Sequence, residues 1–88
     1  MRSEDFKRMM ATFTDMMLTQ EHEGFPKAEF EGFVHVVDTW MRESYEKGAS
    51  GSSVPNVIEK LRTMNNPLAL ATADAMQWCY RQGIESRG

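Results

Sequence analysis

The chain holds one cysteine and two histidines, and these scarcities close off most chemistry before any motif is sought. A lone thiol, Cys79, forms no internal disulfide and builds no zinc site by itself, which suits a reducing compartment. Long apolar runs are missing as well. A membrane span needs about 20 consecutive apolar residues, and the most apolar segment, Leu68 to Tyr80, is broken by Thr72, Asp74 and Gln77. Arg2, Glu4, Asp5, Lys7 and Arg8 crowd the first ten residues where a secretory leader would carry its apolar block, so the expected address is cytoplasmic, with no membrane partner. No basic run stands out: 10 basic residues against 13 acidic leave a net charge of −3, and the molecule as a whole repels nucleic acid and anionic lipid mildly. Period-2 alternation of useful length and internal repeats are not found. The one biased segment is Gly-Ala-Ser-Gly-Ser-Ser at 48–53.

What is present is helical periodicity in a soluble-type balance, 41% hydrophobic and 26% charged over 88 residues, enough for one domain. The expectation is an all-α fold, a small bundle of about four helices arranged as two helical hairpins joined by the Gly/Ser loop. The first helix is placed at 3–22, capped by Ser3, with Glu4 and Asp5 at the positive end of the dipole and Gly24 as its stop. Pro26 is expected at the first position of a second helix over 26–47 that ends at Gly48. Its buried face would hold Phe30, Phe33, Val34, Val37, Trp40, Met41 and Tyr45, with Glu31, His35, Asp38, Arg42 and Glu46 opposite. Gly32 inside it marks a place where another backbone comes close. The loop 48–53 is read as a flexible hinge. A third helix spans 54–64, opened by Pro55, and a fourth spans 67–82, with Asn66 and Pro67 as cap and first-turn pair. Apart from a strip of Asp74, Gln77 and Arg81 the fourth helix is apolar or alanine, so it should be the most enclosed.

Catalytic constellations find little material. A Ser/His/Asp or Cys/His arrangement needs a histidine beside a nucleophile, and only His22 and His35 are available. Cys79 lies on the apolar fourth helix, where burial would raise its pKa and blunt it. His22 between Glu21 and Glu23 reads as a cation near a helix C-terminus. Glu31, His35 and Asp38 stand at i, i+4 and i+7, a spacing that can place a nitrogen and two carboxylates round a divalent ion. The same face continues through Arg42 and Glu46, so a solvated charged surface accounts for it more simply. The chain lacks the Walker glycine pattern and its lysine, so no phosphate loop is expected. The pair 54–64 and 67–82, with Lys60 and Arg62 near its turn, invites a helix-turn-helix reading. A reader helix needs Arg, Lys, Asn or Gln at its start, and this one begins Leu68-Ala69-Leu70-Ala71.

Methionine is abundant instead: eight residues, four of them as the pairs Met9-Met10 and Met16-Met17. Phe6, Met9, Met10, Phe13, Met16 and Met17 recur at helical spacing as one apolar stripe. Such a stripe is either ordinary core or a partner-binding or dimer face, where unbranched, polarisable side chains adapt to what they meet. Four short helices offer few places to hide so much apolar surface. The functional expectation is therefore a non-enzymatic protein-binding module without cofactor or metal, a homodimer that covers a surface of a larger protein as small inhibitors, adaptors and antiactivators of bacteria or their viruses do. A DNA-binding regulator using 54–64 and 67–82 is the alternative, and a metal-dependent protein using Glu31, His35 and Asp38 the second alternative.

Overall fold

The computed structural model describes residues 1–20 and 24–87. Four helices follow one another: α1 Ser3–Thr19, α2 Lys27–Ser50, α3 Asn56–Thr63 and α4 Pro67–Glu85. No strand occurs among the described residues, so the all-α expectation of about four helices holds.

The boundaries move for identifiable reasons. Gln20 turns extended at φ −83°, ψ 143°, so α1 stops at Thr19 instead of reaching 22, and Ser3 is its first residue rather than its cap. The expectations for Glu21, His22 and Glu23 lie outside the described residues. Pro26 and Pro55 each sit at the N-cap in extended conformation, one step before the helices they were expected to open. Asn66 does cap α4: its side-chain oxygen accepts from the backbone N–H of Leu68 at 2.8 Å and of Ala69 at 3.3 Å, with Pro67 in the first turn.

The largest shifts concern glycines. α2 passes through Gly48 and ends at Ser50, where Gly51 takes the left-handed conformation at φ 77°. There the N–H of Ser52 bonds the Lys47 carbonyl at 2.9 Å and that of Gly51 the Gly48 carbonyl at 3.3 Å, a Schellman closure. The segment read as a hinge is thus half helix, and Tyr80 Oη donates to the Ser52 carbonyl at 2.7 Å across the connection. α4 likewise continues past Gly83.

Both glycines are interior because helix backbones meet there. A Cβ on Gly48 would collide with the Tyr80 carbonyl oxygen and stand 3.0 Å from the Ile84 nitrogen, and one on Gly83 would collide with the Tyr45 carbonyl oxygen and stand 2.8 Å from the Ala49 nitrogen. Gly32, where a close approach was expected, has open space around it. The crossing is reciprocal, and a short repeat underlies it. Met41, Ser44, Tyr45 and Gly48 on α2 have the same spacing as Met76, Cys79, Tyr80 and Gly83 on α4. All are buried except Tyr80, which is half-buried. The sequence reading that found no repeat is corrected by this pattern.

All four helices feed one core: Phe6 and Met10 from α1, Met41 and Tyr45 from α2, Ile58 and Leu61 from α3, Ala73, Met76 and Cys79 from α4. Among the described residues no buried side-chain nitrogen or oxygen lacks a partner; Ser44 Oγ, for example, donates to the Trp40 carbonyl at 2.8 Å. The assembled chain is a slab of 43 × 30 × 14 Å with a radius of gyration of 13.5 Å, against about 12 Å for a rounded domain of this length. Its surface is 6033 Å², where a folded monomer of 10.1 kDa normally shows about 5,300 Å². Among the described residues no helix is long and apolar enough to cross a membrane.

Candidate interaction face

The structure splits the stripe on α1 along its length. Phe6 and Met10 are core. The Phe6 ring stacks on Tyr45 with centroids 4.0 Å apart and planes 11° from parallel, and Tyr45 Oη donates to the Met1 carbonyl at 2.6 Å. Met10 is fully buried. Met9 packs against the core from its margin, and Met17 is half-buried. Phe13 and Met16 stand out at 39% and 58% exposure. One stripe with one composition therefore serves as core in its first half and as surface in its second.

The reason is where the neighbouring helices go. Past Met10, a polar contact ties α1 to α2, Thr14 Oγ1 donating to Asp38 Oδ1 at 2.8 Å. Between the second half of α1 and the first half of α4 an apolar groove of about 160 Å³ opens, floored by Val37 and Met41 and walled by Phe13 and Met17 on one side, Leu68 and Ala75 on the other. That is room for about five waters or for one large apolar side chain. A second hollow runs along the outer edge of α1, lined by Arg8, Met9, Thr12, Phe13 and Met16. Phe13 is the ridge between the two.

Leu68, 50% exposed, and Leu70 extend this apolar surface onto α4, although α4 is the most enclosed of the four helices, as expected, with Ala69, Thr72, Ala73, Met76, Cys79 and Gly83 buried along it. The sequence did carry the signal. A helix apolar on nearly all faces needs more neighbours than three short helices supply.

The other candidate residues are placed differently. Asp38 belongs to no solvated face: besides accepting from Thr14 it holds the Arg42 guanidinium, with Nε at 3.0 and 3.1 Å from its two oxygens. His35 borders a shallow hollow with Val36, Thr39 and Trp40 on the far side of α2. Among the described residues no three His, Cys, Asp or Glu side chains gather as a metal set, so Glu31, His35 and Asp38 are not brought together as the spacing suggested. Cys79 is fully buried, and loss of water pushes its thiol up to about 12, partly offset by a backbone hydrogen bond. Arg62 Nη1 and Nη2 reach across to Asp74 Oδ1 at 2.9 Å and Gln77 Oε1 at 2.7 Å, so Arg62, one of the two cations named near the α3–α4 turn, is occupied within the hairpin. Asp74, on the polar strip of α4, stays exposed while it makes this pair.

Comparison with protein-family models, with curated proteins and with solved structures finds no match for this chain.

Proposed function

We propose that this chain is a non-enzymatic protein-binding module that works as a homodimer and covers a surface of a larger protein, in the manner of a small inhibitor, adaptor or antiactivator. One observation carries the reading. The slab exposes roughly 700 Å² more surface than a rounded monomer of its mass, and at one of its faces an apolar region runs from the groove walled by Phe13 and Leu68 over the Phe13 ridge to the exposed Met16. Contiguous apolar area of this kind marks protein contact sites, and the methionines in it suit an adaptable surface.

The opposite side of α2 carries a second feature, Val36 at 45% exposure beside His35 and Trp40. A dimer joined through the α1 face leaves that side open for the larger partner. The lone, deeply buried thiol accords with a cytoplasmic address.

Sedimentation over a falling concentration series, paired with affinity capture from cells, tests the reading. Wild-type chain is expected to dissociate from dimer to monomer in the micromolar range or below, and to retain a partner that the Val36→Asp variant loses. A compact monomer at every concentration, with no partner sensitive to either the α1 face or Val36, sinks it.

A further inference from the structure

Building on that reading, we infer that the second copy of this chain lies against α1 in the antiparallel sense, with Phe13 of each helix beside the two-fold axis and Met16 of one copy packed on Met9 of the other. Met9, Phe13 and Met16 follow one another along the outward edge of α1 in steps of four and three residues, with Thr12 beside them, the spacing of a seam along which two helices interlock. A two-fold interface must carry its knob and its hollow on the same patch. Here the hollow is lined by Arg8, Met9, Thr12, Phe13 and Met16, and Met16, the most exposed member of the stripe, is also its projecting end.

Charge selects the direction. At 100° per residue, Arg8 and Asp15 lie within about 20° of each other on the flank of the seam turned away from α2, and both are exposed. Antiparallel helices bring like flanks together, so Arg8 of each copy meets Asp15 of the other, twice by symmetry. A parallel pair would set that flank beside the one carrying Met10 and Thr14, where no acidic residue of α1 stands to meet Arg8.

The test mixes two single variants, Met9→Cys and Met16→Cys, under mild oxidation; Cys79, fully buried, takes no part. The antiparallel pair requires that the mixed Met9–Met16 disulfide dominates over either self-linked product. Self-linking of each variant alone, in preference to the mixture, means a parallel pair and overturns the inference. Absence of both products while wild type sediments as a dimer places the interface elsewhere, which overturns the inference and leaves the dimer standing. A wild type that stays monomeric at 100 micromolar, by contrast, ends both. Arg8→Glu and Asp15→Lys provide a second measurement on exposed sites that do not threaten folding. Each alone weakens the dimer roughly tenfold, since two ion pairs are reversed at once, and the double variant returns to near wild-type affinity. Additive weakening overturns the pairing.

Discussion

Where α2 ends, Gly48 and Gly83 let two helix backbones touch, and Tyr45 stacked on Phe6 seals α1 against them. Where α2 begins, the same three helices part around Val37 and Met41 and leave an apolar groove. The residues lining the two ends are of similar kinds: Phe6 and Met10 at one, Phe13 and Met17 at the other, each pair one heptad from its counterpart. What differs is the separation of the backbones. Glycine brings helices close enough for the third to cover the seam, and away from the glycines the third helix has too far to reach. Side-chain hydrophobicity decides that a residue seeks cover, and backbone distance decides whether this chain provides it.

The sharpest way to break this comparison is to force the closed end open. Gly48→Ala and Gly83→Ala each drive a methyl group into a backbone carbonyl of the facing helix, which no rotamer change relieves. Each is expected to cost about 3 kcal/mol or more, a fall of at least ~12 °C in Tm, read by thermal denaturation at fixed protein concentration. A loss under about 1 kcal/mol would mean that α2 and α4 do not meet backbone to backbone. Next in size is a contrast within one helix. Phe6→Ala removes a buried, stacked ring and should cost about 3 kcal/mol, whereas Phe13→Ala, truncating a ring already 39% exposed, should cost the monomer under ~1 kcal/mol. Equal losses at the two positions would erase the distinction between the ends.

Much of the closed end was legible in the sequence, and little of the open one. Helical spacing and the membership of Phe6, Met10, Met41 and Tyr45 in the core follow from periodicity, which is local, and at the open end cap chemistry gives only the Asn66-Pro67 start of α4. The glycines were misread because a glycine near a predicted helix end resembles a stop. Telling stop from crossing needs the partner helix, and the only sequence trace of it was the matched spacing of Met41, Ser44, Tyr45, Gly48 with Met76, Cys79, Tyr80, Gly83. The division of the α1 stripe between core and surface left no trace in its own residues, since Met and Phe occur in both halves. Asp38 was read as solvated from its place on one helical wheel, and a partner on another helix, Thr14, decided otherwise.

Cys79 sharpens the comparison at the crossing itself, where it occupies the position on α4 that Ser44 occupies on α2. Its thiol is held at about 12 in the folded chain against 9.0 for the free group. Below pH 9 it is neutral in both states and titration changes nothing. Between pH 9 and about 12 the unfolded chain loses the proton and the folded chain keeps it, so stability falls as pH rises, by on the order of 1 kcal/mol per pH unit. Cys79→Ala should flatten that part of the stability curve in denaturant titrations, and iodoacetamide should label wild type at pH 8.5 only at the rate of unfolding. Rapid labelling of the native chain would mean that the crossing is looser than its geometry.

The smallest expected effect lies at the open end. Thr14→Val deletes the hydrogen bond from α1 to Asp38 while Asp38 keeps both contacts from Arg42, so no carboxylate oxygen is stranded and the cost should be about 0.5 kcal/mol. Global stability would scarcely register it. Amide exchange resolves local opening, and there the second half of α1, from Phe13 to Thr19, should exchange several-fold faster in the variant while the amides around Phe6 and Met10 stay unchanged. If instead the whole helix loosens together, α1 is one cooperative unit, and the division between its buried and exposed halves is a matter of packing without independent motion.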